Sequence, residues 1–188
     1  YWPWIQLLRA CLETGDRLSV LRGLGPRAAD LAELLPELRE RLPGLPVPPQ
    51  IEPQQARFRL FDTLAAFLRD AGPLTIVLDD LHLADAASIA LLAYLGRRLP
   101  EFRALIVGTR RPVPANPRLD AAVERLDRSG VMASELMLNP LPGQAVRAIA
   151  VGAVPALAAA DLERVVSGSD GNPLLARLTA RAMSQGEE

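Results

Sequence analysis

Two adjacent carboxylates, Asp79 and Asp80, stand directly after the apolar run Leu74-Thr-Ile-Val-Leu78. A short β-branched run of this kind reads as a strand buried on both faces. The pair therefore falls at a strand's carboxyl end, where parallel α/β sheets bind ligands. There the first carboxylate can hold the water shell of a magnesium ion, as phosphoryl-transfer sites require, and the second can orient or polarise an attacking water. Successive strand residues point to opposite faces, so both reach one site only if the chain turns immediately after Leu78. The stretch Leu81-His-Leu-Ala-Asp85 makes such a turn available. The plain alternative is a solvated Asp-Asp at a strand exit.

A second apolar run, Ala104 to Gly108, ends in Thr109-Arg110-Arg111. Sequential parallel strands are usually neighbours, so Thr109 or Arg110 would approach the same crevice. A guanidinium there can bind a terminal phosphate or sense its loss; the alternative is a pair of surface arginines. A third feature, Gly171-Asn172-Pro173-Leu174-Leu175, is by itself an ordinary helix start with proline in the first turn.

The elements that must position these residues follow from periodicity. Gln54 to Asp70 reads as an amphipathic helix with Phe58, Phe61, Leu64, Ala65 and Leu68 as its apolar stripe. Gly72-Pro73 ends it. Asp85 can cap a helix running to about Arg98, with Ile89, Leu91, Leu92 and Leu95 inward. Asn116-Pro117 starts another helix, reaching about Asp127, and Glu135 to Leu138 reads as a third strand. Strand, helix, strand, helix, strand is the order of a parallel sheet with right-handed crossovers. After residue 141 the sequence is helical only: Pro142 to about Val151, Ala158 to Val166, Pro173 to about Met183. Upstream, Pro3 opens a helix carrying Trp4, Leu7, Leu8 and Cys11 that Gly15 and Asp16 break. Shorter helical pieces start at Pro26 and Pro36. Pro43 to Pro53 is too proline-rich for a regular helix and reads as an extended connector. The division expected is 1–53 as helical insert and connector, 54–140 as α/β core and 141–188 as helical lid.

Composition sets limits. Nearly half of the 188 residues are hydrophobic and the net charge is −1, which supports a sizeable core and argues against a nucleic-acid-binding face. All 21 basic residues are arginine, so any mechanism that needs a lysine from this chain is excluded. Cys11 is the only cysteine; it reads as a buried small hydrophobe, and no intrachain disulfide can form. No apolar run approaches the ~20 residues that span a bilayer. The opening Tyr1-Trp-Pro-Trp-Ile has neither signal-peptide shape nor initiator methionine, and the expectation is a cytoplasmic chain that begins within a domain.

The order of these motifs resembles the ATPase domain of large bacterial signalling regulators, the STAND class of AAA-like P-loop NTPases found in LuxR-type transcriptional activators. The opening Tyr-Trp-Pro-Trp and Glu37-Leu-Arg-Glu-Arg-Leu-Pro43 are similar to it as well, so the likeness runs along nearly the whole chain. It implies a partial P-loop NTPase-like three-layer parallel sheet with a C-terminal all-helical lid. It implies ATP or ADP with Mg2+ as ligands in the complete protein. Asp79 would be the Walker B metal ligand, Asp80 the water-activating acid, and Arg110 the sensor-1 arginine at the terminal phosphate, with Thr109 beside it. Pro173 would pack near the adenine, and His82 would serve packing or a hinge. Implied partners are the nucleotide and other domains of the same polypeptide, such as a DNA-binding or cyclase output, with homo-oligomerisation open and no direct nucleic acid or membrane contact.

One departure is large. The family's Gly-x-x-x-x-Gly-Lys-Thr loop, which cradles phosphates, is not in this sequence. It is expected upstream of Tyr1, on a strand lying beside the sensor-1 strand. The isolated chain is therefore expected to bind nucleotide weakly and not to hydrolyse it. The rival reading is a non-catalytic interaction or scaffold module with a vestigial or structural nucleotide pocket. A phospho-acceptor receiver domain also uses paired acids, but needs a lysine.

Overall fold

The computed structural model describes residues 1–13 and 15–185. The chain divides into two compact units, Tyr1–Ala133 and Ser134–Glu188. Among the described residues no helix is long and apolar enough to cross a membrane.

The first unit is mixed α/β and mostly helical. Its elements are α1 (Trp2–Leu12), α2 (Gly15–Gly23), α3 (Ala28–Leu31), α4 (Leu38–Arg41), α5 (Pro53–Asp70), β1 (Leu74–Leu78), α6 (Ala86–Arg97), β2 (Ala104–Gly108) and α7 (Pro117–Arg128). Helix α1 closes at Leu12, and Gly15, expected as a breaker, is itself the first residue of α2. The connector after α4 is extended up to Pro53, whose fixed φ suits the first turn of α5.

Helix α5 buries Leu60, Phe61, Leu64, Ala65, Phe67 and Leu68. Phe58, expected in this stripe, is 60% exposed and meets Tyr94 in a T-shaped pair. It lies in the turn before the helix enters the core. Trp4, Leu8 and Cys11 of α1 share one core with Phe61 and Phe67 of α5 and Leu91 and Leu95 of α6. The Trp4 indole also donates to the Ser88 carbonyl at 3.1 Å. Helices α1 to α4 thus contribute buried side chains to the same core as the strands. Asp30 of α3, nearly buried, is matched by Arg59 at 2.5 Å and the Thr63 hydroxyl at 3.1 Å on α5.

Strands β1 and β2 pair in parallel, Leu74 opposite Ala104 through Leu78 opposite Gly108. They form a two-stranded sheet, and no three-layer sheet is present among the described residues. The expectation of strands buried on both faces is corrected here. Leu74, Ile76 and Leu78 turn into the core, whereas Thr75 and Val77, with Leu105 and Val107 beside them, line an exposed face. The third strand is also corrected. Residues 131–142 form no ladder, and Leu136, Met137 and Leu138 are exposed. Extended chain becomes a strand only as part of a ladder with a neighbouring strand, and the ladder among the described residues joins β1 and β2.

The second unit packs α8 (Gly143–Ala153), α9 (Ala159–Gly168) and α10 (Pro173–Gln185) around Val146, Ala150, Val165, Ala176 and Ala180. Asn172 caps α10, accepting from Leu174 N at 2.9 Å and Leu175 N at 3.2 Å. Gly171 before it has φ +72°, and a Cβ there would lie 2.6 Å from the Leu141 carbonyl oxygen. The Leu141 amide donates to the Gly171 carbonyl at 2.9 Å.

Two outcomes follow. Gly171→Ala combines a left-handed backbone with a backbone clash, and is expected to cost the second unit about 2 kcal/mol or more, read by denaturant melting. Asp85 caps α6 through Ala87 N at 3.0 Å and Ser88 N at 2.9 Å. Burial pushes its pKa up, but hydrogen bonds from the Ser88 hydroxyl and amide act against that, and it lies below its ordinary 3.8. A depressed carboxylate pKa stabilises the fold above the unfolded value, and that contribution fades as pH falls below about 3.8. Asp85→Ala should cost about 1 kcal/mol at neutral pH. Asp85→Asn, which still caps, should flatten the acid limb of a stability–pH curve; an unchanged limb would rule this out.

Candidate functional site

The site grows from the last rung of the parallel ladder. With Leu78 opposite Gly108, the residues that follow, Asp79 and Thr109, come side by side. Thr109 then uses all of its polar groups on the β1 exit. Its amide donates to the Leu78 carbonyl at 3.0 Å, and its carbonyl accepts from Leu81 N at 2.9 Å. Its hydroxyl accepts from Asp80 N at 3.0 Å and donates to Asp79 Oδ1.

The turn needed after Leu78 is present. Asp80 takes the left-handed conformation, φ 52° and ψ 43°, and leads into a 3-10 turn at Leu81–Leu83. Aspartate tolerates this region better than most residues because its short polar side chain bonds locally. Gly108 assists from the other strand: a Cβ there would lie 2.5 Å from Leu81 Cδ1, so its bare backbone lets Leu81 fold inward. Both carboxylates remain exposed.

The arginines divide. Arg111 Nε stands 3.9 Å from Asp80 Oδ1. Arg110 is paired with Asp120 in the first turn of α7, at 2.6 Å. The structure therefore brings together Asp79, Asp80, Thr109 and Arg111, and pairs the Arg110 guanidinium with Asp120 of α7. Pro173 belongs to the second unit, where it is the exposed first residue of α10. Sequence reading missed Asp120 and Asn116. Asn116 Nδ2 donates to the carbonyls of His82 at 3.1 Å and Ala84 at 3.3 Å, and its Oδ1 caps α7. Asn-Pro was visible as a helix start, but nothing in the spacing marked Asn116 as a clamp on the acidic turn.

A family model for the AAA ATPase domain matches residues 1–107, a span that includes β1, the acidic pair and almost all of β2. This chain belongs to the AAA ATPase domain family. Comparison with curated proteins and with solved structures gave no match. The AAA family binds nucleotide, in general ATP or ADP with Mg2+.

The residues present in this AAA chain fit magnesium in a limited way. No group of three or more His, Cys, Asp or Glu able to hold a metal occurs among the described residues. Mg2+ does not ask for one, since it keeps most of its waters and takes one or two carboxylates plus substrate phosphates. An exposed Asp79 with one oxygen fixed by Thr109 suits that role. For the phosphates this AAA chain offers guanidinium groups and no lysine.

Thr109→Val keeps the side chain's shape and deletes both hydroxyl bonds. It is expected to cost about 1 kcal/mol, with Thr109→Ser recovering most of it in the same melts. A valine variant as stable as the parent would remove Thr109 from the centre of this site.

Proposed function

We propose that the chain supplies the magnesium side and the lid of an ATP-dependent regulatory switch in a bacterial signal-transduction or transcriptional regulator of the STAND, LuxR-type kind. The observation that carries this reading is the braced acidic exit: two exposed carboxylates after a strand with one face in the core, with Asp79 fixed by the hydroxyl of the neighbouring strand's exit. On this reading Asp79 holds the magnesium water shell, and Asp80, turned by its left-handed backbone, orients the attacking water. Thr109 fixes the Asp79 carboxylate. Arg110 meets the terminal phosphate by exchanging Asp120 for it; an exposed pair of this kind holds by only about 0–1 kcal/mol, so a doubly charged phosphoryl group can displace it. Residues 141–188 form the lid and Pro173 its adenine-side contact, while 1–53 pack beside the core segment 54–140.

Mg-ATP would bring the phosphoanhydride bond and the Lewis acid. The phosphate cradle has to come from outside these residues, because the chain holds no lysine. The bare sheet face of Val77, Leu105 and Val107 supports a further segment packing there, since parallel sheets are normally covered on both sides. Hydrolysis or exchange would then shift the lid and release an output domain.

A second reading, a non-catalytic interaction module, is favoured by the Arg110–Asp120 pair and the missing lysine. It predicts nucleotide binding without turnover in the complete polypeptide. Under the first reading Asp79→Ala and Asp80→Asn each lower turnover there by about 100-fold or more, and unchanged turnover in both variants would refute it. For the 188-residue chain, isothermal titration with Mg-ATP is expected to show no binding tighter than about millimolar; a micromolar constant would contradict the division of labour drawn here.

A further inference from the structure

The proposed chemistry leaves unused a buried polar side chain that stands directly beside the acidic pair. His82, the only histidine, lies in the 3-10 turn between the acidic pair and α6, with its side chain 5% exposed. Its Nδ1 accepts the Arg111 N–H at 3.4 Å and lies 3.7 Å from Asp80 Oδ1. Its carbonyl is clamped by Asn116 at 3.1 Å. A neutral ring that accepts at Nδ1 carries its proton on Nε2. The same Nδ1 is the ring atom that faces Asp80.

This placement does two things at once. The backbone of the arginine segment is tied to the acidic turn by an acceptor on a buried ring, through a part-buried hydrogen bond. The Asp80 carboxylate faces that same Nδ1, so one ring nitrogen stands between the arginine backbone and the acidic pair.

We propose that His82 is a positioning residue that fixes the Arg110–Arg111 backbone relative to Asp79 and Asp80, and so sets where the guanidinium groups stand for a terminal phosphate. Its consequence for turnover rests on the nucleotide reading above; the brace itself does not. The opposing idea is a histidine that merely fills space, and shape-preserving variants separate the two. His82→Phe keeps a ring and loses the acceptor, His82→Leu serves if Phe unfolds the chain, and His82→Asn returns an oxygen close to the Nδ1 position.

The decisive measurement is amide exchange of the 188-residue chain followed by NMR. In the parent, the Arg111 amide should be protected and the ring should show an unprotonated Nδ1 with its proton on Nε2. His82→Phe should speed Arg111 exchange by about tenfold or more while the Leu81 and Thr109 amides keep parental rates, and His82→Asn should restore protection. Equal Arg111 exchange in parent and Phe variant, failure of Asn to restore it, or the opposite tautomer overturns the inference, whatever nucleotide assays give. In the complete polypeptide, His82→Phe should lower kcat about tenfold with KM moved less than about twofold, and Asn should recover it. A complete polypeptide that neither binds nor turns over nucleotide defeats the functional reading alone, because the exchange result still decides the brace.

Discussion

The register of two short strands decides what the rest of this structure can do. Ending the ladder at Leu78 opposite Gly108 puts a hydroxyl residue next to Asp79 and a side-chain-free residue where Leu81 must fold inward. A slip of one residue would carry Thr109 to the opposite face and bring Gly108 or Arg110 beside Asp79. The hydroxyl bonds to Asp79 and to the Asp80 amide would both be lost. Core burial enforces the register: Ile76 and Leu78 are 2% and 3% exposed, and a slipped strand would place Thr75 and Val77 there instead. Apolar packing on one face of the sheet thereby fixes polar geometry at its end.

Electrostatics at that end is divided between two arginines of unequal commitment. Arg110 and Asp120 lie at hydrogen-bonding distance, 2.6 Å, and Asp120 sits in the first turn of α7, where the helix dipole already favours a negative charge. Arg111 and Asp80 at 3.9 Å share only a solvent-screened attraction, and the backbone of Arg111, through its N–H to His82, is better fixed than its side chain. The acidic turn is consequently held by hydrogen bonds from Thr109, Asn116 and the backbone, with its carboxylates left outward.

Much of this was legible in the sequence. Strand and helix starts around the site followed from β-branched runs, Asp85 and Asn116 as caps, and proline at first turns, all of which act locally. Partnerships across the fold were not legible. Which arginine faces Asp80 depends on the path of the loop after Thr109. Phe58 satisfied helical periodicity yet lies outside the core, because periodicity marks an angular position and says nothing about where along the helix packing begins. Glu135 to Leu138 had strand composition, but a strand is a property of a pair, and the partner is what the sequence could not supply.

Two independent observations on the first unit bear on how its chemistry could be completed. One is chemical: carboxylates and guanidinium groups are present, whereas the lysine-bearing cradle that P-loop chemistry uses is absent. The other is a matter of packing: Val77, Leu105 and Val107 are 65%, 53% and 41% exposed on the uncovered face of a parallel sheet. Covering such side chains is worth roughly 1–2 kcal/mol each, enough together to help seat a further segment. That face continues directly into the residues that end in Thr109 and Asp79, so whatever covers it would sit next to the acidic pair. The uncovered apolar face of this unit thus adjoins the exposed carboxylates at the end of its sheet.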